Sequence, residues 1–481
     1  MRLPFTKNSQ NFGTSPRVSK VSASIALAVG VGISGCLSGA GLATAEQAPS
    51  SSYGSADGSA RKAAGLGSSQ ALGSSQGPSD MLSSRALGSL DRNAQSFYDS
   101  LPTTVSGEPG QVIKRGPSQF ALGLPYVDWT LSKAERVAYV STDSNGKSIP
   151  VTGTVLKSSA PWTGKGPRPL LTIAPGTQGS GDACAPGKLL PVGLEYEAIP
   201  VAGALMRGWN VALTDLPGLG TPSQHTYMNR VDQAHATIDM ARAATRMNIK
   251  GIDAKSPVAF YGYSQGGGAA AAALELAPTY GKDVNLKTGY AGGTPANLAE
   301  TAANIDGKPL AGVLGYAING FIASKPELRP LIDELLNDKG KRLLEQTADE
   351  CISQSLIRHA YVDTRTLTKS GKPLAELASQ EPLKSVLREQ EIGHHTPNVP
   401  VFVGHGTNDD SIPVQGARTM ARQWCTAGAK VYYKEVPAPP LAPLVDHMVP
   451  MLANQAPAMN WLDTVFRGKP YPTTSCGQIP K

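Results

Sequence analysis

Six short segments of the chain are largely apolar and rich in β-formers: residues 170–174, 210–214, 258–261, 288–291, 399–403 and 430–436. A strand with one face in water alternates apolar and polar residues, whereas a strand buried on both faces reads as a nearly continuous apolar run. These segments therefore predict interior strands. Between them lie stretches of helical spacing or helix-forming composition at 229–247, 265–277, 413–427 and 449–466. Buried strands alternating with helices predict an α/β fold whose central sheet is mostly parallel and covered on both faces. Upstream, the β-rich runs 136–142 and 149–157 flank Asn145-Gly146, a pair suited to the positive φ angles of a two-residue turn. This N-terminal hairpin predicts an antiparallel edge.

The rhythm breaks at 296–397. Val313, Leu314, Ala317, Ile318, Phe321 and Ile322 form one helical stripe, and Leu331, Ile332, Leu335 and Leu336 form another that Asn337-Asp338-Lys339-Gly340 terminates. About 100 residues are too many for an ordinary crossover. The interval predicts an inserted helical cap, able to serve as a lid.

Composition changes the picture mainly at the N-terminus. The chain has 481 residues, 40% of them hydrophobic and 17% charged, which is ample for one large core. Residues 1–45 predict a signal peptide, with Arg2, Lys7, Arg17 and Lys20, then an apolar run from Val21 to Ile33, then Ala43-Thr44-Ala45 as a small-x-small cleavage site. The formal charge of +7 falls to +3 without those four basic residues. No basic cluster with interleaved aromatics remains to suggest a nucleic-acid partner. Free secretion is expected, and Ile33-Ser34-Gly35-Cys36 offers the alternative of a lipoprotein anchored through Cys36. Residues 46–90, rich in Gly and Ser with Ala-Leu-Gly-Ser repeated, predict a flexible linker. The folded domain is expected from 91 to 481, as a monomer with no transmembrane helix in the mature chain.

Apart from Cys36 there are four cysteines, Cys184, Cys351, Cys425 and Cys476. An even number in an exported chain predicts two disulfides, with three pairings open. No pair has the close spacing of a zinc knuckle, and neither metal nor cofactor is expected.

The candidate chemistry begins where segment 258–261 runs into Gly262-Tyr263-Ser264-Gln265-Gly266 and then an alanine-rich helix former. Strand, tight turn and helix place a serine at the apex, with glycine on either side because a Cβ there would strike the neighbouring strand or helix. The five-residue pattern is weak alone, since a chain with 52 glycines yields about half a match by chance. Gly73-Ser74-Ser75-Gln76-Gly77 matches too, but has no strand before it. A serine needs a base, and the base needs a group that fixes its tautomer. Later strands supply both. Segment 399–403 leads to Asp409-Asp410, and segment 430–436 to Asp446-His447-Met448 just before the final helix. The expected catalytic set is Ser264, an Asp of the 409–410 pair, and His447. The backbone N–H of Gln265 and a donor from the loop after 170–174, with Gly176, Thr177 and Gln178 as candidates, are expected to form the oxyanion hole.

In this order of motifs the chain resembles the α/β-hydrolases, and within them the secretory lipase family that includes fungal lipase A and actinobacterial relatives. The likeness runs from about Phe97 to the C-terminus, through the Ser264 pentapeptide, Ala174-Pro175-Gly176-Thr177-Gln178-Gly179 with Cys184, Asp215-Leu216-Pro217-Gly218, His405-Gly406-Thr407-Asn408-Asp409 and His447. The resemblance implies hydrolysis of triacylglycerols or related esters at an oil–water or membrane interface, a helical lid, and no cofactor. It implies the pairings Cys184–Cys351 and Cys425–Cys476. It selects Asp409 over Asp410, because the family's acid precedes a two-residue spacer and then hydrophobic-Pro, here Ile412-Pro413. It also implies that an acid such as Asp182 could assist the oxyanion loop. An envelope acyltransferase and a serine peptidase are alternatives on the same fold. The other histidines, His225, His235, His359, His394, His395 and His405, are expected in structural or solvated roles, and Asp215 in a turn.

Overall fold

A computed structural model describes residues 92–122, 131–437 and 439–481, all within one compact unit. The expected signal peptide, linker and Cys36 lie outside these residues. The strands are β1 (Val112–Ser118), β2 (Ser132–Thr142), β3 (Ser148–Ser158), β4 (Leu170–Ala174), β5 (Asn210–Thr214), β6 (Val258–Tyr263), β7 (Leu286–Gly292), β8 (Val401–Gly406) and β9 (Val431–Val436). They form a single sheet in the order β1-β2-β3-β5-β4-β6-β7-β8-β9. β1, β2, β3 and β5 pair antiparallel in succession, and every pair from β5 to β9 is parallel.

Alternate residues of the interior strands enter two separate cores. On β6, Val258 and Phe260 join one cluster while Ala259 and Tyr261 join the other. Val401 and Val403 of β8 divide from Phe402 in the same way. The first core packs beneath helices Arg230–Arg246, Gln265–Leu276 and Val414–Thr426; the second packs against Ala198–Met206 and Val445–Phe466. Burial on both faces is the physical reason for the continuous apolar runs.

Two features depart from expectation. β1 was not predicted from its sequence. Its Val-Ile-Lys-Arg-Gly-Pro-Ser composition is poor for a strand, and it is tolerated because β1 sits at the sheet edge, where Pro117 costs no ladder bond. The last helix starts at Val445, earlier than the expected 449, and carries Pro450 and Pro457 internally. Asp446 and His447 therefore lie in its first turn. Proline in a sequence argues against helix, whereas here the turn is secured by contacts from elsewhere.

Between β7 and β8 the chain is helical, at Leu298–Ile305, Val313–Ser324, Arg329–Leu335, Asp338–Thr347, Ile352–Arg358, Leu374–Ala378 and Leu383–Glu389. The two apolar stripes fall on the second and third of these. Asn337 follows the stripe as predicted, and also caps the next helix by accepting from Lys339 and Gly340 N–H. These helices share an apolar cluster of their own, including Phe321, Ile332, Leu336 and Leu343. A cavity of about 100 Å³ within it is lined entirely by apolar residues. Disulfides join Cys184 to Cys351 and Cys425 to Cys476.

Candidate active site

β4 and β6 are neighbours in register, Ala174 opposite Gly262, so the loops leaving their C-terminal ends lie side by side. The β6 loop is a single residue. Ser264 adopts φ +58° and ψ −123° between β6 and helix Gln265–Leu276, a conformation that costs a non-glycine residue about 1–3 kcal/mol. The turn demands glycine on both sides: a Cβ on Gly262 would lie 2.0 Å from the Gly266 carbonyl oxygen, and one on Gly266 would lie 2.1 Å from that of Ala174.

β8 and the final helix bring the other two residues to this apex. His447 Nε2 lies 3.0 Å from Ser264 Oγ, and His447 Nδ1 lies 2.8 and 3.0 Å from the two carboxylate oxygens of Asp409. Asp409 Oδ1 also accepts the backbone N–H groups of Ser411 and Ile412, at 3.0 and 2.8 Å. With the carboxylate at Nδ1, the imidazole proton sits there and Nε2 is left to accept from the serine. Burial disfavours charge on His447, but the Asp409 carboxylate outweighs it and holds the imidazole pKa above its ordinary value. For Asp409, burial pushes the carboxyl up, and His447 with its neighbours more than reverses this, holding it below the usual range. Tyr263 donates its hydroxyl to the His447 carbonyl at 2.7 Å, fixing the histidine's backbone from the strand that carries the serine.

Asp410 points elsewhere. Its Oδ2 accepts the backbone N–H of Leu444 at 2.7 Å, holding the positive-φ residue (φ +71°) at the mouth of the His447 helix. Its carbonyl accepts from Asn304 and Lys308 of the inserted segment. This is the anchoring that lets the helix start ahead of Pro450.

A family model described as Secretory lipase matches residues 185–474, well over half of the chain. The chain belongs to the secretory lipase family. A secreted triacylglycerol lipase of Malassezia furfur is 26% identical over 267 residues, covering 55% of this chain and 53% of that protein. A protein of Mycobacterium tuberculosis named a probable inactive lipase is 27% identical over 277 residues, covering 57% of this chain and 59% of that one. The alignments thus span little more than half of these relatives' lengths. Among solved structures, Candida antarctica lipase A in its closed state superposes with a TM-score of 0.67 at 22% identity, covering 80% of this chain and 90% of that one. That likeness identifies the α/β-hydrolase fold.

In the loop after β4, residues 175–178 run beside the Ser264 elbow: a Cβ on Gly176 would lie 3.3 Å from the Tyr263 carbonyl oxygen. Of the expected oxyanion donors, Gly176 donates its N–H to Glu197 Oε1 at 2.9 Å. Among the described residues no hydrogen bond uses the backbone N–H of Thr177 or Gln265. The Gln178 side chain donates to Glu195 at 3.0 Å. Asp182 keeps surface exposure as a residue while its carboxyl is partly desolvated among Lys188, Asp349 and the Gly220 N–H. Burial raises its carboxyl to about 6 despite the lysine.

The remaining histidines do varied structural work. His405, fully buried on β8, donates from Nε2 to the Ile412 carbonyl behind the acid loop. His394 pairs with Glu391 and His359 with Glu350, while His235 stacks on Tyr280. His225 is less detached than expected. Its Nδ1 faces the Pro217 carbonyl, and its Nε2 accepts from the Gln265 side chain at 3.0 Å, holding the residue next to the serine. Burial lowers its pKa to about 4, so it stays neutral. Asp215 is no simple turn residue; it accepts from Tyr98, Thr152 and Gly187. Sequence reasoning passed over Glu195, Tyr196 and Glu197, although two glutamates inside the apolar stretch 189–205 were a readable anomaly. No group of three or more His, Cys, Asp or Glu among the described residues is arranged to hold a metal ion. No helix among them is long and apolar enough to cross a membrane.

Proposed function

We propose that the protein is an exported serine carboxylic-ester hydrolase acting on triacylglycerols or related lipid esters. The observation that carries this reading is the unbroken hydrogen-bonded line from Ser264 Oγ through His447 to Asp409. The Malassezia relative contributes the substrate class. A relative named as a probable inactive lipase means that kinship alone does not establish catalysis, and the hydrogen-bonded line is what supports it here.

Ser264 Oγ attacks the ester carbonyl while His447 Nε2 takes its proton, and Asp409 stabilises the imidazolium. The carbonyl oxygen, now negative, is received by the N–H groups of Gln265 and Thr177. His447 returns the proton to the departing alkoxide, which leaves as the alcohol, and the acyl group stays on Ser264. Water then attacks with the same proton traffic, releasing the fatty acid and restoring the serine. In this reading the inserted helices, which share an apolar cluster of their own, serve as a cap over the site. Export is supported by the signal-like pattern of residues 1–45 and by the two disulfides.

The test is hydrolysis of p-nitrophenyl esters of increasing chain length, below and above their solubility limit, by wild-type protein and Ser264→Ala. Expected are a preference for long chains, a rise at the interface and loss of turnover in the variant. A folded Ser264→Ala protein with the wild-type rate would end the proposal.

A further inference from the structure

Three consecutive residues of one segment hold three consecutive residues of another. Glu197 Oε1 accepts the Gly176 N–H at 2.9 Å, Tyr196 donates its hydroxyl to the Thr177 carbonyl at 3.1 Å, and Glu195 Oε1 accepts from the Gln178 side chain at 3.0 Å. The two residues are also tied to each other, since Glu195 Oε1 accepts the Glu197 backbone N–H at 3.0 Å. Both glutamates are buried, and Glu195 Oε2 has no hydrogen-bond partner among the described residues. Directly after them helix Ala198–Met206 enters the second core, so the grip is mounted on a rigid element.

We propose that Glu195, Tyr196 and Glu197 form a positioning clasp that sets the register of the Gly176–Gln178 loop, and with it the Thr177 N–H, beneath the reacting carbonyl. This rests on the ester-hydrolase reading. Fixing the peptide units on both sides of the Thr177 N–H removes its freedom to turn away, and preorganised donors of this kind contribute about 100- to 1,000-fold in kcat. Tyr196 adds a steric limit, because a Cβ on Gly176 would stand 2.5 Å from its hydroxyl.

The clasp is also sensitive to alkali. Burial, reinforced by Glu197, raises Glu195 to about 8; burial raises Glu197 to about 7 against the opposing Gly176 N–H. Titratable groups facing the pair are Asp215, Tyr196, Tyr261 and Tyr290, which offer no positive charge. At acid and neutral pH at least one carboxyl is protonated. As pH rises through this range both become negative, repel each other, and place charge behind a pocket that must receive an oxyanion.

Two readouts test the clasp: kcat and KM across pH 6–10, and amide hydrogen exchange of a peptide spanning residues 170–180. Glu197→Ala should lower kcat about 10- to 100-fold with KM within about threefold, and raise exchange about tenfold. Glu197→Gln keeps an acceptor for Gly176 and should retain kcat at pH 7 within about threefold while losing the alkaline fall. Tyr196→Phe, which removes one hydroxyl, provides a milder loosening if Glu197→Ala does not fold. Wild-type kcat and exchange in Glu197→Ala or Tyr196→Phe would overturn the proposal, as would an unchanged alkaline limb in Glu197→Gln. If the wild-type protein hydrolyses no ester, the ester-hydrolase reading fails, while exchange still reports on the grip.

Discussion

Replacing Asp409 by asparagine exchanges one oxygen for an amide nitrogen, and the surrounding hydrogen bonds dictate where that nitrogen goes. Asp409 Oδ1 accepts from the Ser411 and Ile412 N–H groups. An amide NH₂ placed there would face two donors, so the remaining oxygen must take that position. The NH₂ then occupies the site of Oδ2, the nearer contact at 2.8 Å from His447 Nδ1, while the oxygen left at 3.0 Å is already committed to the two backbone N–H groups. Two donors cannot face each other, and the imidazole proton moves to Nε2, where it points at Ser264 Oγ. The base is now a donor toward the group it must deprotonate. A wrong tautomer in this constellation costs about 10,000-fold in kcat, or about 5 kcal/mol of barrier. Steady-state hydrolysis of a p-nitrophenyl ester measures it, with thermal unfolding as the control for folding. Asp410→Asn is the matched comparison. It keeps an acceptor for the Leu444 N–H and is expected to retain kcat within about threefold. Loss of less than about tenfold for Asp409→Asn, or equal loss for both variants, would refute the assignment.

Two other expectations follow from the same geometry. The raised pKa of His447, with burial opposing and Asp409 prevailing, means that kcat/KM should fall as pH drops through a value above the ordinary histidine range, by about tenfold per unit; an acid limb centred below about 6 in a kcat/KM profile contradicts it. Gly266→Ala places a Cβ 2.1 Å from the Ala174 carbonyl oxygen. It should lose about 3 kcal/mol or more in urea denaturation, and an unchanged midpoint would count against the tight elbow.

What the sequence could convey depended on whether a residue's job was local. The strands β4 to β9 announced themselves because burial on both faces leaves an apolar run, and Ser264 because its turn excludes side chains nearby. β1 could not, since an edge strand takes its order from β2 rather than from its own propensity. The start of the last helix was misplaced because the stabilising acceptor for Leu444, Asp410, is distant in sequence. The choice between Gly176 and Thr177 as donor was hidden for a related reason. It depends on a carboxylate that arrives from residue 197, and backbone satisfaction over long separations has no local pattern.

The link between Cys184 and Cys351 divides the inserted helices into parts with different engineering value. Around it, Ser180 N–H donates to the Glu350 carbonyl, and Ile352 N–H donates to that of Gln178. The insertion is thereby sewn to the β4 loop at its middle, as well as held by the chain at both ends. A hinge that lifted the whole insertion would have to break that seam, so any opening of the proposed cap is confined to the stretches between anchors. Helices Arg329–Leu335 and Leu383–Glu389 lie on such stretches and line the apolar cavity; under the proposed lipase reading they are the places to test grafts for chain-length selectivity. Residues next to Cys351 share their backbone bonds with the β4 loop, so a graft there would change turnover along with selectivity.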